Sequence, residues 1–146
     1  MKKFTLIELL VVIGIIGILI GILLPAISSA IKEGKKTSAE ADLKLIVTGC
    51  QAYYQDLQYL PYSHPNPLNN TVDFKDIQHN IGGDNPRNRE YMAVPDEDML
   101  NPWDGAYMVG FDLLYQHSAE TPYGTAPGNI GAWTEVPGGQ ILISWE

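Results

Sequence analysis

Hydrophobic and polar positions divide this chain into an apolar N-terminal segment and a mixed remainder. Between Phe4 and Leu24 a single charged residue, Glu8, occurs in a run of 21 residues. At a rise of about 1.5 Å per residue, a helix of that length spans about 31 Å, close to the ~30 Å hydrocarbon core of a bilayer. The pattern therefore predicts a membrane-spanning helix, to which we assign residues 4–25.

Beyond Pro25 the apolar positions recur every three or four residues, which is the period of a helix with one buried face. Pro61 predicts the end of this helix a residue or two earlier. The pattern thus predicts one helix from Phe4 to about Gln58, whose second part, in the segment 26–60, is an amphipathic stem. The apolar face of the stem contains Leu43, Ile46, Val47, Cys50, Tyr53, Tyr54 and Leu57.

The region 61–146 combines turn-forming residues with a few apolar segments and predicts a small head. Asp104 and Gly105 form a hairpin signal. Residues 117–139, rich in Gly, Pro and Thr, predict a long surface loop. We expect an α+β fold in which the long helix packs on a small antiparallel sheet with long loops. The other predicted elements are a short helix at Val72–Ile81 capped by Asp73, a weak strand or helix at Arg89–Val94, and strands at Ala106–Phe111 and Gln140–Trp145.

Composition and charge narrow the choice of partners. The chain is 45% hydrophobic and 18% charged, which is typical of a folded protein rather than a disordered one. Its formal charge is −8, and residues 37–146 contain four basic residues against 15 acidic ones. Nucleic-acid binding needs a positive surface that displaces counterions, so we expect no nucleic-acid partner.

The sequence contains no catalytic motif. Its single cysteine, Cys50, excludes an intrachain disulfide and zinc sites built on cysteine pairs. On the apolar face of the stem Cys50 is expected to be a small buried residue, the alternative being a reactive thiol or a lipid anchor. The three histidines lack metal-ligand spacing, and neither a nucleophile elbow nor a nucleotide-binding loop is present. We therefore expect a protein that is not an enzyme.

Glu8 restricts the interpretation of the apolar segment. A secretory signal peptide would use Lys2 and Lys3 as its basic region and would be cut between about Ala26 and Ala30, but its apolar region is usually shorter and carries no acid. A carboxylate in the bilayer core costs roughly 2.5–3.5 kcal/mol, less near a helix end. Glu8 is therefore expected to have a cation or a proton as its partner, unless it only reaches the interface.

Residues 2–13, KKFTLIELLVVI, resemble the class III signal of type IV pilins and type II secretion pseudopilins. Members of that family are cut before a Phe, are methylated at the new N-terminus, and carry Glu as the fifth mature residue. Counted from Phe4, Glu8 is the fifth residue, and Pro25 is the twenty-second, where the family has a helix-kinking Pro. The resemblance covers about residues 1–31.

This resemblance implies a processed precursor. It implies a leader at residues 1–3, cleavage between Lys3 and Phe4, and N-methylation of Phe4 by a prepilin peptidase and methyltransferase. Lys3 stands where the family usually has Gly. Assembly residues by the same resemblance are Glu8, which would meet the Phe4 amine of a neighbouring copy, and Pro25.

The resemblance also implies a pilin-like fold and a structural function. The chain would polymerise through its N-terminal helix into a type II secretion pseudopilus or a type IV pilus-like filament. Its partners would be other copies, other pseudopilins and an inner-membrane assembly platform. Lysines on both sides of the apolar run leave the orientation open. The resemblance implies a single-pass protein of the bacterial inner membrane with its head on the periplasmic side. The alternative is a minor, pilin-like surface-binding module at the filament tip.

The segment Asn101–Tyr107 resembles a motif, Asp-Pro-Trp-Gly-x-Pro-Tyr, of the major pseudopilins. Within it, Trp103 is expected to pack the sheet on the stem rather than to hold a ligand. Major pseudopilins bind calcium in the C-terminal region, and calcium prefers six to eight oxygen ligands. Calcium is thus the candidate cofactor here, the alternative being a solvated acidic face. The candidate ligands are Asp96, Asp98, Asp104 and Asp112.

Overall fold

The computed structural model describes residues 5–61, 71–95, 97–112 and 118–145. The chain forms two compact units, Met1–Lys36 and Thr37–Glu146. The first helix, α1, covers Leu6–Leu57, contributes residues to both units and confirms the predicted long helix. It ends where Gln58 adopts a left-handed conformation (φ 60°), three residues before Pro61.

The second unit is an α+β head built on a four-stranded antiparallel sheet. The elements after α1 are β1 (Thr71–Asp73), a 3₁₀ turn (Phe74–Asp76), α2 (Gln78–Gly82), β2 (Tyr107–Phe111), β3 (Ser118–Thr121), β4 (Gly124–Pro127), β5 (Ile130–Val136) and β6 (Gln140–Ile143). The four-stranded sheet has the strand order β1-β2-β5-β6, and β3 and β4 form a separate two-stranded sheet.

The strands predicted at residues 106–111 and 140–145 are confirmed as β2 and the shorter β6. The predicted hairpin signal is also confirmed. The Asn101 N–H donates to the Gly105 carbonyl at 2.8 Å, and Leu100 bridges Ala106 in antiparallel fashion. Asp104 takes the positive φ of 64° that this tight turn requires.

The predicted surface loop at residues 117–139 is wrong, because this segment contains β3, β4 and the inner strand β5. Small residues in this segment allow close packing between strands as well as turns. A Cβ added at Gly131 would lie 2.6 Å from the Ala126 Cβ and 2.9 Å from the Trp145 ring. Because the second sheet and the C-terminal segment lie so close to β5, the chain needs glycine there, and this glycine made a buried strand resemble a loop.

Two weaker predictions also require correction. The helix predicted at residues 72–81 is divided into β1, the 3₁₀ turn and α2. Asp73 does act as a cap, since its Oδ1 accepts a hydrogen bond from the Lys75 N–H at 3.2 Å, but it caps the 3₁₀ turn. Residues 89–94 form neither a strand nor a helix.

The core of the head lies between the stem part of α1 and one face of the four-stranded sheet. The stem buries the face that its apolar period predicted, and alternate residues of β2 meet it. Cys50 is fully buried there, and burial raises the pKa of its thiol, which favours the packing interpretation over a reactive thiol. The core includes Leu43, Ile46, Cys50 and Tyr53 from α1, Tyr107, Val109, Phe111 and Ala132 from the sheet, and Phe74, Ile77 and Ile81 from the segment between β1 and β2.

Gly49 is buried in the stem, where α1 packs closely against Met92 and Ile81. A Cβ at this position would lie 2.9 Å from the Met92 Cβ and 3.2 Å from the Ile81 Cγ2. We expect Gly49→Ala to lower the free energy of unfolding of the head by about 1–2 kcal/mol, because overpacking outweighs the helix propensity of about 1 kcal/mol that Ala gains. Thermal unfolding followed by near-UV circular dichroism measures this change.

The matched control for this prediction is Gly34→Ala in the same helix, since a Cβ at Gly34 would meet nothing within 4 Å. We expect this variant to keep or raise helix stability. A Gly49→Ala protein more stable than the wild type would contradict the close packing of α1.

Buried amide side chains hold much of the head that lacks regular secondary structure. The fully buried Gln78 donates to the Glu97 carbonyl at 3.1 Å and accepts from the Met99 N–H at 2.9 Å. Asn85 donates to the carbonyls of Asn80 and Arg89, both at 2.8 Å. Each side-chain amide forms hydrogen bonds with backbone groups that a neighbouring strand would otherwise bind. These loops are therefore held in place without belonging to a β-sheet.

A charged cluster at the end of α1 fastens a further loop to the stem. Asp56 accepts hydrogen bonds from the Tyr91 hydroxyl at 2.6 Å and from the Arg87 guanidinium at 2.8 Å. The hydrogen bond from Tyr91 holds the pKa of Asp56 below its ordinary value, and the charges of Arg87 and Arg89 act in the same direction. The Tyr91 ring also packs edge-on against Tyr53, with ring centroids 5.3 Å apart.

Candidate functional site

The apolar part of α1 is a large exposed hydrophobic surface. Every Leu, Ile and Val from Leu6 to Leu24 is at least 48% exposed. Exposed apolar surface of this size is unfavourable in water and marks contact with lipid or protein. By length and composition α1 is able to cross a membrane. The predicted apolar helix is confirmed, and that it spans a membrane stays a prediction.

The start of α1 carries a capping box that the sequence analysis missed. Thr5 lies one residue before the helix, and its N–H and hydroxyl both donate to Glu8 Oε2 at 2.8 Å. The Glu8 N–H donates back to the Thr5 Oγ1 at 3.3 Å. A Thr or Ser followed three residues later by Glu is the sequence pattern of a capping box. The spacing of Thr5 and Glu8 therefore predicts the start of the helix.

The capping box gives Glu8 a role within its own chain. A carboxylate offers about four acceptor positions, and these two bonds use about half of them. The geometry is therefore compatible with a further cationic partner at Glu8. Lys3 and Phe4, the predicted cleavage and methylation residues, lie outside the described residues.

The apolar part of α1 also contains three glycines and Pro25. A Cβ added at Gly14, Gly17 or Gly21 would meet nothing within 4 Å, so these positions leave open space on the helix surface. Pro25 lies inside the continuous helix and cannot supply the N–H that would bond to the Gly21 carbonyl. Gly17 and Gly21 are four residues apart, and this spacing permits close contact between helices.

The structure does not gather the predicted calcium ligands. Asp98 and Asp104 are exposed, Asp104 lying in the tight turn before β2. Asp112, after β2, accepts a hydrogen bond from the Ser118 N–H at 3.4 Å. Within the described parts of the chain, no three His, Cys, Asp or Glu residues come together as a metal site. Asp96 lies outside the described residues, and calcium binding stays a prediction.

A groove lined by aromatic residues lies on the head and was not predicted. Trp103, from the turn before β2, packs against the core as expected and also lines this groove. Tyr123, between β3 and β4, and Trp133, in β5, line it as well, with ring centroids 6.1 Å apart and planes at 69°. The groove has a volume of about 490 Å³ and includes the carboxylate-bearing Glu135.

The turn that carries Trp103 is fixed by Asn101, which is only 3% exposed. Its Oδ1 accepts from the N–H groups of Trp103 and Gly105, both at 2.9 Å. Its Nδ2 donates to the Thr134 Oγ1 at 2.8 Å and to the Glu135 carbonyl at 3.1 Å. One side chain thus joins the turn to β5 and sets the position of one wall of the groove.

The described residues form two surfaces with different chemistry. The apolar part of α1 is suited to lipid and to other apolar helices, and the groove is suited to a small ligand or side chain. The sequence of residues 2–25 and these two surfaces are the features from which a function is proposed below. Comparisons of the chain with family models, with curated proteins and with solved structures give no match.

Proposed function

We propose that this protein is a structural subunit of a pilus-like filament, either a type II secretion pseudopilus or a type IV pilus-like fibre. A prepilin peptidase would cut the precursor between Lys3 and Phe4, and the subunit would polymerise through the apolar part of α1. The observation that carries the proposal is an exposed apolar helix with one acidic residue, Glu8, near its start.

The exposed helix explains both states of such a subunit. Before assembly, lipid covers its apolar side chains in the bacterial inner membrane, with the head on the periplasmic side. In the filament, copies of the same helix replace lipid, and the open space at Gly17 and Gly21 permits their close approach. Both environments are apolar, so transfer between them keeps the hydrophobic surface buried.

Glu8 would fix how neighbouring helices are aligned, which apolar packing alone does not do. A carboxylate in an apolar assembly requires a cation, and the amine that cleavage creates on Phe4 of a neighbouring copy provides one. Because the amine lies at the end of one helix and Glu8 lies at a fixed depth in another, their pairing sets the axial stagger between copies. Other pseudopilins and an assembly platform would be the remaining partners.

The intact mass and N-terminal sequence of the protein from its native membrane test this proposal. We expect a chain that begins at N-methylated Phe4, and a chain that begins at Met1 in cells without the prepilin peptidase. A start near Ala30 would identify an ordinary secreted protein. Uncut Met1 in peptidase-positive cells would identify a simple membrane anchor and contradict the filament.

The aromatic groove favours a second candidate function, a minor subunit that binds a ligand at the filament tip. Such a subunit would use the same N-terminal helix for assembly and the groove for recognition. Its copy number in isolated filaments separates the two candidates. A major subunit is the principal protein by quantitative mass spectrometry, whereas a tip binder is present in few copies per filament.

A further inference from the structure

We propose that the aromatic groove of the head binds the trimethylammonium group of choline. The inference goes beyond the proposed function, because it requires neither cleavage nor polymerisation of the chain. It depends on three observations: the aromatic rings, the charge of the lining residues, and the hydrogen bonds that hold the turn of Trp103.

The rings have the composition of a cation-binding cage. Trp103, Tyr123 and Trp133 reach the groove from three separate segments. Trp133 is only 5% exposed, so the partly exposed Trp103 and the 48% exposed Tyr123 offer most of the accessible ring surface. The near-perpendicular arrangement of Tyr123 and Trp133 gives the groove ring surfaces of different orientation. The negative face of an aromatic ring attracts a cation, Trp most strongly, and several rings together recognise quaternary ammonium groups.

The charge around the groove selects a cation over an anion or a neutral apolar group. Glu135 adds a carboxylate, and the described lining residues include no Lys, Arg or His. The head as a whole carries four basic and 15 acidic residues between residues 37 and 146. Its field therefore favours cations and repels phosphate or carboxylate ligands.

The lining chemistry favours a quaternary ammonium over a primary one. A lysine ammonium donates three hydrogen bonds and loses strong hydration when it is buried, so it needs several acceptors. Glu135 is the only carboxylate among the described lining residues, and the walls are otherwise mainly aromatic, aliphatic and glycine residues. A trimethylammonium group has no N–H to satisfy and buries its methyl groups against the rings.

The wall that carries Trp103 is held in place by hydrogen bonds. Asn101 fixes this turn through four hydrogen bonds, and a Cβ added at Gly105 would lie 2.7 Å from the Asn101 Nδ2. Gly138 and Gly139, in the turn between β5 and β6, also line the groove. A side chain whose backbone is already fixed loses less conformational entropy on binding.

The test compares choline with its neutral isostere, 3,3-dimethyl-1-butanol, which has the same shape without the charge. The full chain is placed in nanodiscs of phosphatidylglycerol, a lipid without an ammonium group. Binding is followed by calorimetry and by tryptophan fluorescence. We expect saturable binding of choline, about tenfold tighter than binding of the isostere.

Variants assign the binding to the groove. We expect Trp103→Leu to abolish choline binding and Glu135→Gln to weaken it several-fold, while Glu90→Gln, an exposed control outside the groove, leaves it unchanged. Tyr123→Leu replaces a half-exposed ring and serves if Trp103→Leu fails to fold, which near-UV circular dichroism detects.

Equal affinity for choline and its isostere, no saturable binding, or full binding by Glu135→Gln and Tyr123→Leu would each overturn the proposal. None of these results depends on filament formation. The N-terminal sequence therefore tests the proposed filament independently of choline binding.

Discussion

Replacing Glu8 with alanine is expected to abolish incorporation of the subunit into filaments. The variant loses the carboxylate that would pair with the Phe4 amine of a neighbouring copy, and an uncompensated cation in an apolar assembly is costly. It also loses the capping box with Thr5, but a cap contributes only about 1 kcal/mol. The amount of sheared filament, measured by immunoblot against total subunit, reports the effect.

Glu8→Gln separates charge pairing from helix capping. A carboxamide oxygen still accepts the hydrogen bond from the Thr5 N–H, so this variant keeps much of the cap and loses the charge. We expect it to fail in assembly as Glu8→Ala does. Glu33→Gln is the matched control, since Glu33 is an exposed acid of α1 outside the apolar run, and it should assemble normally. Normal assembly of Glu8→Gln would contradict the pairing, and normal assembly of Glu8→Ala would remove Glu8 from the mechanism.

The second large effect is expected in the head, where Asn101→Ala should lower the free energy of unfolding by about 3 kcal/mol. Asn101 uses both amide hydrogens and both carbonyl lone pairs, and all four bonds are lost together. Truncation leaves the N–H groups of Trp103 and Gly105, two half-buried residues of the turn, without this acceptor. Thermal unfolding of the full chain in nanodiscs, followed by near-UV circular dichroism, measures the loss.

Asn101→Asp tests whether the amide is specifically needed. The carboxylate still accepts from Trp103 and Gly105, but it faces two acceptors. The Thr134 hydroxyl already donates its hydrogen to the Ala106 carbonyl at 2.7 Å, so its oxygen must receive one. We therefore expect Asp to destabilise as well. The control Asn129→Ala, at a position where the backbone carbonyl accepts from Asp112, should change stability by no more than about 0.5 kcal/mol. A loss below about 1 kcal/mol for Asn101→Ala would contradict its central role.

The elements that sequence predicted well depend on local pattern. The bounds of α1 follow from an apolar run and a helical period, and β2 follows from a turn signal before a short apolar segment. The composition of residues 117–139 predicts a loop, but the glycine of β5, Gly131, packs against Ala126 of the second sheet and Trp145 after β6. The composition of a segment does not indicate which other segments will pack against it.

The same distinction applies to the two surfaces. The N-terminal segment was predictable because its residues are consecutive, and the capping box of Thr5 and Glu8 was readable by the same means. The groove could not be predicted, because Trp103, Tyr123 and Trp133 meet only after the turn, the second sheet and β5 have folded together. The Asn101 amide reaches the Glu135 carbonyl 34 residues away, a pairing that no short motif encodes.

The burial of Cys50 has a practical consequence for labelling. It is the only cysteine of the chain, its side chain is fully buried, and its raised pKa keeps it protonated and slow to react with maleimides. A second cysteine at an exposed site such as Thr125 would therefore take a fluorophore or spin label selectively. The native cysteine thus adds little background to a label placed at such a site.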